Sequence, residues 1–83
     1  MNFTKQKIYY VIWDDHWSLL NKWQNEESLD DSPVEVHTIG WCLRDSDTVL
    51  HMASTVDSGN QSFGGHMAIM KSAIKEAWEL TNV

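Results

Sequence analysis

Gly40-Trp41-Cys42-Leu43 runs through Arg44-Asp45-Ser46-Asp47 into Thr48-Val49-Leu50-His51-Met52-Ala53, and a Gly64-Gly65 pair precedes Ile69-Met70-Lys71-Ser72-Ala73-Ile74. In order this reads as strand, tight turn, strand, longer loop and strand. Consecutive antiparallel strands in a chain of 83 residues have few ways to cover their edges, and curling into a small barrel is the commonest. The expected class is mainly β (α+β): one domain over residues 1–83, a small five-stranded antiparallel barrel with one short helix after strand one.

Working outward, Ile8 to Trp13 are six consecutive apolar or aromatic residues of strand-favouring types, and form strand one. Their lack of alternation implies cover on both faces. Asp14 or Asp15 is suited to cap a following helix over about residues 15–26, whose stripe is Trp17, Leu20 and Trp23. An acidic loop, Glu26-Glu27-Ser28-Leu29-Asp30-Asp31-Ser32-Pro33, follows. From Val34 to Arg44 the alternation changes phase, with Val34 and Val36 on one face and Ile39, Trp41 and Leu43 on the other; a bulge or bend at Gly40 accounts for this. Asp45-Ser46-Asp47 supplies turn chemistry, and Leu50, Met52 and Val56 form the inward face of strand three. Asp57 to Ser62 is a loop, and Met67 and Ile69 belong to strand four.

The final segment has two readings. His66 to Leu80 carries a passable helical stripe; a turn at Lys71-Ser72-Ala73 followed by a strand from Ile74 to Leu80 instead completes five strands, and the strand count favours it.

Hydrophobic residues make up 42% of the chain, with five Trp, two Tyr and two Phe, enough apolar surface to offset the entropy of ordering. A core this small favours a homo-oligomer. The net charge of −6 opposes the positive face that a long nucleic acid needs. The single cysteine, Cys42, allows no internal disulfide, and the first residues lack a secretory pattern, so a cytoplasmic location is expected. No apolar run approaches the roughly 18 residues that span a bilayer, so no membrane association is expected.

The run Ile39-Gly40-Trp41, the hairpin into Leu50-His51-Met52-Ala53, and the closing stretch Ile69-Met70-Lys71-Ser72-Ala73-Ile74-Lys75-Glu76-Ala77-Trp78-Glu79-Leu80 resemble a group of small phage and prophage proteins of Sm-like or SH3-like barrel pattern. Val11-Ile12-Trp13-Asp14 is similar to the strand end that opens them. Met70 stands where the group usually has proline. The resemblance implies a viral accessory protein in the host-cell cytoplasm, of a class that includes oligomeric sponges for nucleotide immune signals.

Catalytic and metal motifs are absent. His16, His37, His51 and His66 are spaced 21, 14 and 15 residues apart, matching no compact ligand signature. Neither a catalytic residue nor a metal or cofactor is expected, and Cys42 reads as a buried, inert thiol. The aromatic residues offer more. Trp41 and Phe63 beside the Gly64-Gly65 backbone suit a small-nucleotide pocket, with Trp13 at a strand end, phosphate held by backbone amides, and Arg44 or Lys71 supplying charge. The expected function is sequestration of a small anionic ligand such as a nucleotide. The alternative is an acidic inhibitor of a host protein through Glu26, Glu27, Asp30, Asp31, Asp45 and Asp47. A third reading, a catalyst that degrades the ligand, places the chemistry on His37, His51 or His66.

Overall fold

The computed structural model describes residues 1–15, 33–59 and 61–81. Seven strands are present among them: β1 (Ile8–Asp15), β2 (Val34–Asp45), β3 (Val49–Ala53), β4 (Thr55–Val56), β5 (Phe63–Gly64), β6 (Met67–Met70) and β7 (Ile74–Leu80). Five form one antiparallel sheet in the order β6-β3-β2-β1-β7, and β4 pairs with β5 in a separate ladder. The helix expected over about residues 15–26 and the acidic loop after it lie, but for Asp15 and Pro33, outside the described residues.

The register sorts side chains by face. Tyr9, Val11 and Trp13 of β1, Cys42 of β2, Leu50 and Met52 of β3 and Ile69 of β6 point into one core, joined by Phe3 and flanked by Val36, Ile74 and Ala77. Each fully buried aliphatic side chain contributes about 1.5–3 kcal/mol through removal of apolar surface from water. The N-terminal segment is stitched to β2, with the Gln6 N–H donating to the Cys42 carbonyl and the Cys42 N–H to the Lys7 carbonyl, each at 2.8 Å. This lets Phe3 pack edge-on against Tyr9, whose hydroxyl accepts the Thr4 N–H at 2.7 Å.

The last segment is turn and strand. Lys71–Ala73 forms a single 3₁₀ turn, and Ile74–Leu80 pairs with β1. The Lys71 N–H donates to the Thr48 carbonyl at 2.9 Å, and its ammonium pairs with the Asp45 carboxylate, which also accepts the Phe3 N–H at 3.1 Å. β2, the β2–β3 turn, the N-terminus and the 3₁₀ turn are thus tied at one corner. With no glycine or proline in that turn, these long-range bonds supply what local chemistry lacks.

Four sequence expectations change. The sheet bends, because its edge strands β6 and β7 are consecutive in the chain, but they do not pair with each other, so no closed barrel forms among the described residues. The physical reason is length, since β6 offers only four residues to an edge partner. Strand three breaks at Ser54, so that Val56 leaves the main sheet for the β4–β5 ladder.

The irregularity in β2 lies between Cys42 and Arg44, not at Gly40. Gly40 stays in regular pairing with Tyr9, and its lack of a side chain serves a close approach, since a Cβ there would stand 2.7 Å from the Ala53 carbonyl oxygen. Finally, among the described residues β1 is buried fully on one face only. Its outward residues Ile8, Tyr10 and Ile12 are half-buried beneath a row that includes Ile39 and Trp78 of the neighbouring strands. The continuous apolar run therefore reflects a sheet that is apolar on both sides.

Candidate anion-binding site

The slip in β2 makes Leu43 an extra residue and places Arg44 directly opposite His51 of β3. Opposed residues in an antiparallel pair share a face, so both lie on the outer surface of the sheet. His51 in turn faces Ala68 of β6, just past Gly65-His66. Gly65 has φ of +67°, a conformation in which a side chain is strained, and the turn it makes returns His66 to His51.

The two imidazoles meet there. His51 Nδ1 and His66 Nε2 are 2.9 Å apart, with ring planes 8° from parallel and centroids separated by 5.2 Å. A centroid separation so much longer than the nitrogen separation places the rings edge to edge rather than face to face. One ring donates and the other accepts, so at least one imidazole in the bonded pair is neutral. The nitrogens aim at each other and not at a common third point, a hydrogen-bonding rather than a chelating geometry. Among the described residues, no group of three or more His, Cys, Asp or Glu side chains could hold a metal.

Phe63 leans on His66, with ring centroids 5.8 Å apart, and the loop before it is held by Asp57. That carboxylate accepts the Gln61 N–H at 2.8 Å and the Ser62 hydroxyl at 2.9 Å. The Gln61 amide, with the Ser62 hydroxyl second, holds the Asp57 carboxyl below its ordinary value. The result is a cleft of about 360 Å³ lined by Lys5, Leu43, Arg44, His51, Gln61, Phe63 and His66. This lies at the small end of the range for ligand pockets, about 300–1,000 Å³.

Its chemistry runs against that of the whole chain. A protein of net charge −6 presents here two permanent cations, two imidazoles, a primary amide and an aromatic ring, with no carboxylate among the lining side chains. Lys5 and Arg44 attract an anion, the imidazole pair offers a ring N–H, and Phe63, 55% exposed, presents a face for stacking.

The sequence-predicted site residues divide. Arg44 and Phe63 line this cleft, with Gly64 and Gly65 shaping the turn beside it. Trp41 and Phe63 meet instead in a separate notch of about 30 Å³, room for about one water molecule and not for a base. Lys71 is held at the corner by Asp45. Trp13 is a core residue whose indole N–H donates to the Thr38 hydroxyl at 2.9 Å.

Part of the expected cradle of backbone amides is committed within the loop. The Gln61 amide is taken by Asp57, and the Gly64 carbonyl accepts the Ser54 N–H at 3.2 Å and the Ser54 hydroxyl at 3.3 Å. Charge in the cleft comes from side chains. Lys5 and Gln61 were missed, and His51 and His66 were named only as catalytic candidates and not as part of an anion site, because the four are 46, 10 and 5 residues apart along the chain; the β2 slip and the Gly65 turn bring Arg44 and the two histidines together.

Asp45, expected on an acidic face, is bound inward by Lys71 and the Phe3 amide. Burial pushes its carboxyl up, but the Lys71 ammonium and the Phe3 N–H outweigh this and hold it below its ordinary value. Glu26, Glu27, Asp30 and Asp31 lie outside the described residues. Cys42 is buried, and burial pushes its thiol up. Comparison with family models, with curated proteins and with solved structures finds no match.

Proposed function

We propose that the protein is a binding module that takes up a small anionic ligand of the nucleotide class in the Lys5–Arg44–His51–His66 cleft and acts by sequestering it. The observation that carries this is the concentration of cationic and N–H-bearing side chains, without a carboxylate, in a ligand-sized cleft of an acidic chain. An Arg–phosphate hydrogen bond contributes about 1.5–3 kcal/mol, and stacking of a base on an aromatic ring about 1–3 kcal/mol. Association costs at least about 4 kcal/mol, so one cleft alone supports weak binding, and tight sequestration calls for a second subunit.

The proposal extends to a homo-oligomeric phage or prophage accessory protein of Sm-like or SH3-like barrel type, working in the host cytoplasm. What supports it is the five-stranded antiparallel sheet whose two edge strands join through a three-residue turn. Among the described residues β6 and β7 are the edge strands of the sheet, and edge strands offer backbone groups to a second copy.

Titration with adenosine 5′-monophosphate and with inorganic phosphate, followed by NMR at His51 and His66, tests the cleft. Saturable shifts are expected, with nucleotide preferred over phosphate. Arg44→Ala should weaken nucleotide about tenfold, equal to about 1.4 kcal/mol, and Phe63→Ala should abolish the preference for nucleotide. Absence of saturable shifts at millimolar concentration, or affinity untouched by Arg44→Ala, overturns the assignment.

A further inference from the structure

On the outer face of the sheet, independent of the cleft, Tyr10 lies directly opposite Ile39 of β2 and Trp78 of β7. Its ring sits between those of Trp78 and His37, with centroids 5.3 and 5.7 Å away. Its hydroxyl is 2.6 Å from His37 Nδ1, His37 Nε2 is 3.2 Å from Glu35 Oε2, and Glu35 Oε1 is 3.0 Å from the Lys75 ammonium.

The donor pattern is determined by the end of this chain. An ionised carboxylate only accepts, so the Glu35 contact calls for the hydrogen on Nε2. In neutral His37 this leaves Nδ1 as the acceptor of the phenol hydrogen. The hydrogen bonds from Lys75 and then His37 keep the Glu35 carboxyl below its ordinary value. Phenol, imidazole and carboxylate thus stand in the order nucleophile, base and orienting group that activates a hydroxyl.

Beside Tyr10 runs an apolar strip. Ile39 is 60%, Trp78 46% and Leu80 40% exposed, and Ile8 joins Leu80 to Trp41 through strand pairing. Among the described residues, strand pairing sets Trp78, Tyr10 and Ile39 in one row and Leu80, Ile8 and Trp41 in the next, with the Tyr10 hydroxyl turned to His37.

We infer that Tyr10 is a reactive nucleophile, activated by His37 and aligned by Glu35, that accepts the acyl group of an activated ester whose apolar chain lies along the Ile39–Trp78–Leu80 strip. In the step, the Tyr10 oxygen bonds to the ester carbonyl carbon and its proton passes to His37 Nδ1. The bond from that carbon to the leaving oxygen breaks, and the electron pair departs with the alcohol fragment. His37 then returns its proton to solvent, leaving an O-acyl tyrosine. Glu35 is a positioning residue, acting through His37.

Tyr9 serves as an internal control, since it is buried and its oxygen is occupied by the Thr4 N–H. The experiment treats the protein with p-nitrophenyl acetate and p-nitrophenyl butyrate, following p-nitrophenolate release and locating the label by peptide mass spectrometry. Label at Tyr10 is expected, with none at Tyr9, and the butyrate should react faster because each methylene in contact with the strip adds up to about fourfold. Tyr10→Phe should remove the label, and His37→Gln, checked for folding by circular dichroism, should slow it about 100-fold. Glu35→Gln should change the pH–rate profile while Glu35→Asp restores part of the wild-type profile, a result that a purely structural link between strands would not produce. A Tyr10 rate equal to that of N-acetyl-tyrosinamide, or one unchanged in folded His37→Gln, overturns the inference.

Discussion

Replacing Gly40 by alanine tests how β2 and β3 are held together. The added Cβ would lie 2.7 Å from the Ala53 carbonyl oxygen, 3.3 Å from the Ala53 carbonyl carbon and 3.4 Å from the Met52 methyl. Ordinary contact begins at 3.4 Å, so the oxygen must retreat by 0.7 Å (3.4 less 2.7). That oxygen is backbone, at the residue paired with Trp41, and cannot swing away as a side-chain tip would.

Overpacking of this kind costs about 1–3 kcal/mol, while loss of glycine's unfolded-state freedom returns about 0.4–1 kcal/mol. The expected net destabilisation is about 0–2.6 kcal/mol, at about 4–8 °C in Tm per kcal/mol for a domain of this size. Urea unfolding followed by tryptophan fluorescence measures it, with Gly64→Ala as the control. Gly64 lacks positive φ and has nothing within 4 Å of its would-be Cβ, so the control should stay within about 0.5 kcal/mol of wild type. Equal stabilities for the two variants would refute the close-approach argument.

Leu50, fully buried at the centre of the core, should cost about 2–5 kcal/mol as Leu50→Ala, seen as a lower urea midpoint. Acid unfolding should depend on Asp45. Its folded value lies below the usual 3.8, so its contribution is present above that pH and disappears as pH falls through the lower folded value; Asp45→Asn should accordingly lose less stability than wild type across that window. Nucleotide binding in the cleft should weaken as salt rises from 50 to 500 mM but persist, because stacking on Phe63 is not screened while attraction to the exposed Arg44 is. Abolition of binding by salt alone would show that Phe63 contributes nothing.

Local pattern carried the strand content. Ile8 to Trp13 is strand because its β-branched and aromatic residues suit a pleated surface, and Ile74 to Leu80 is strand because the sheet requires a partner for β1. The turn at Lys71-Ser72-Ala73 was legible through that same count of strands, though nothing in its own residues imposes it. Arg44 and Phe63 were singled out by their chemistry, and both line the cleft. The clustering of Lys5, His51, Gln61 and His66 was not, since spacing along the chain says nothing about residues joined across a ladder.

The sequence alone determined a small β fold, a buried Cys42 and an acidic surface, because composition and two-residue periodicity act locally. Tertiary structure decided register. A slip of one residue at Leu43 reverses which face each later side chain takes, and with it whether Arg44 meets His51. The same non-local pairing turned Trp13 into the core, drew Lys71 to Asp45 and set Tyr10 against His37. These outcomes depend on partners distant along the chain, as in the Phe3–Asp45 bond, 42 residues apart, and the Ile8–Leu80 pairing of β1 with β7, and no local preference encodes such a distance.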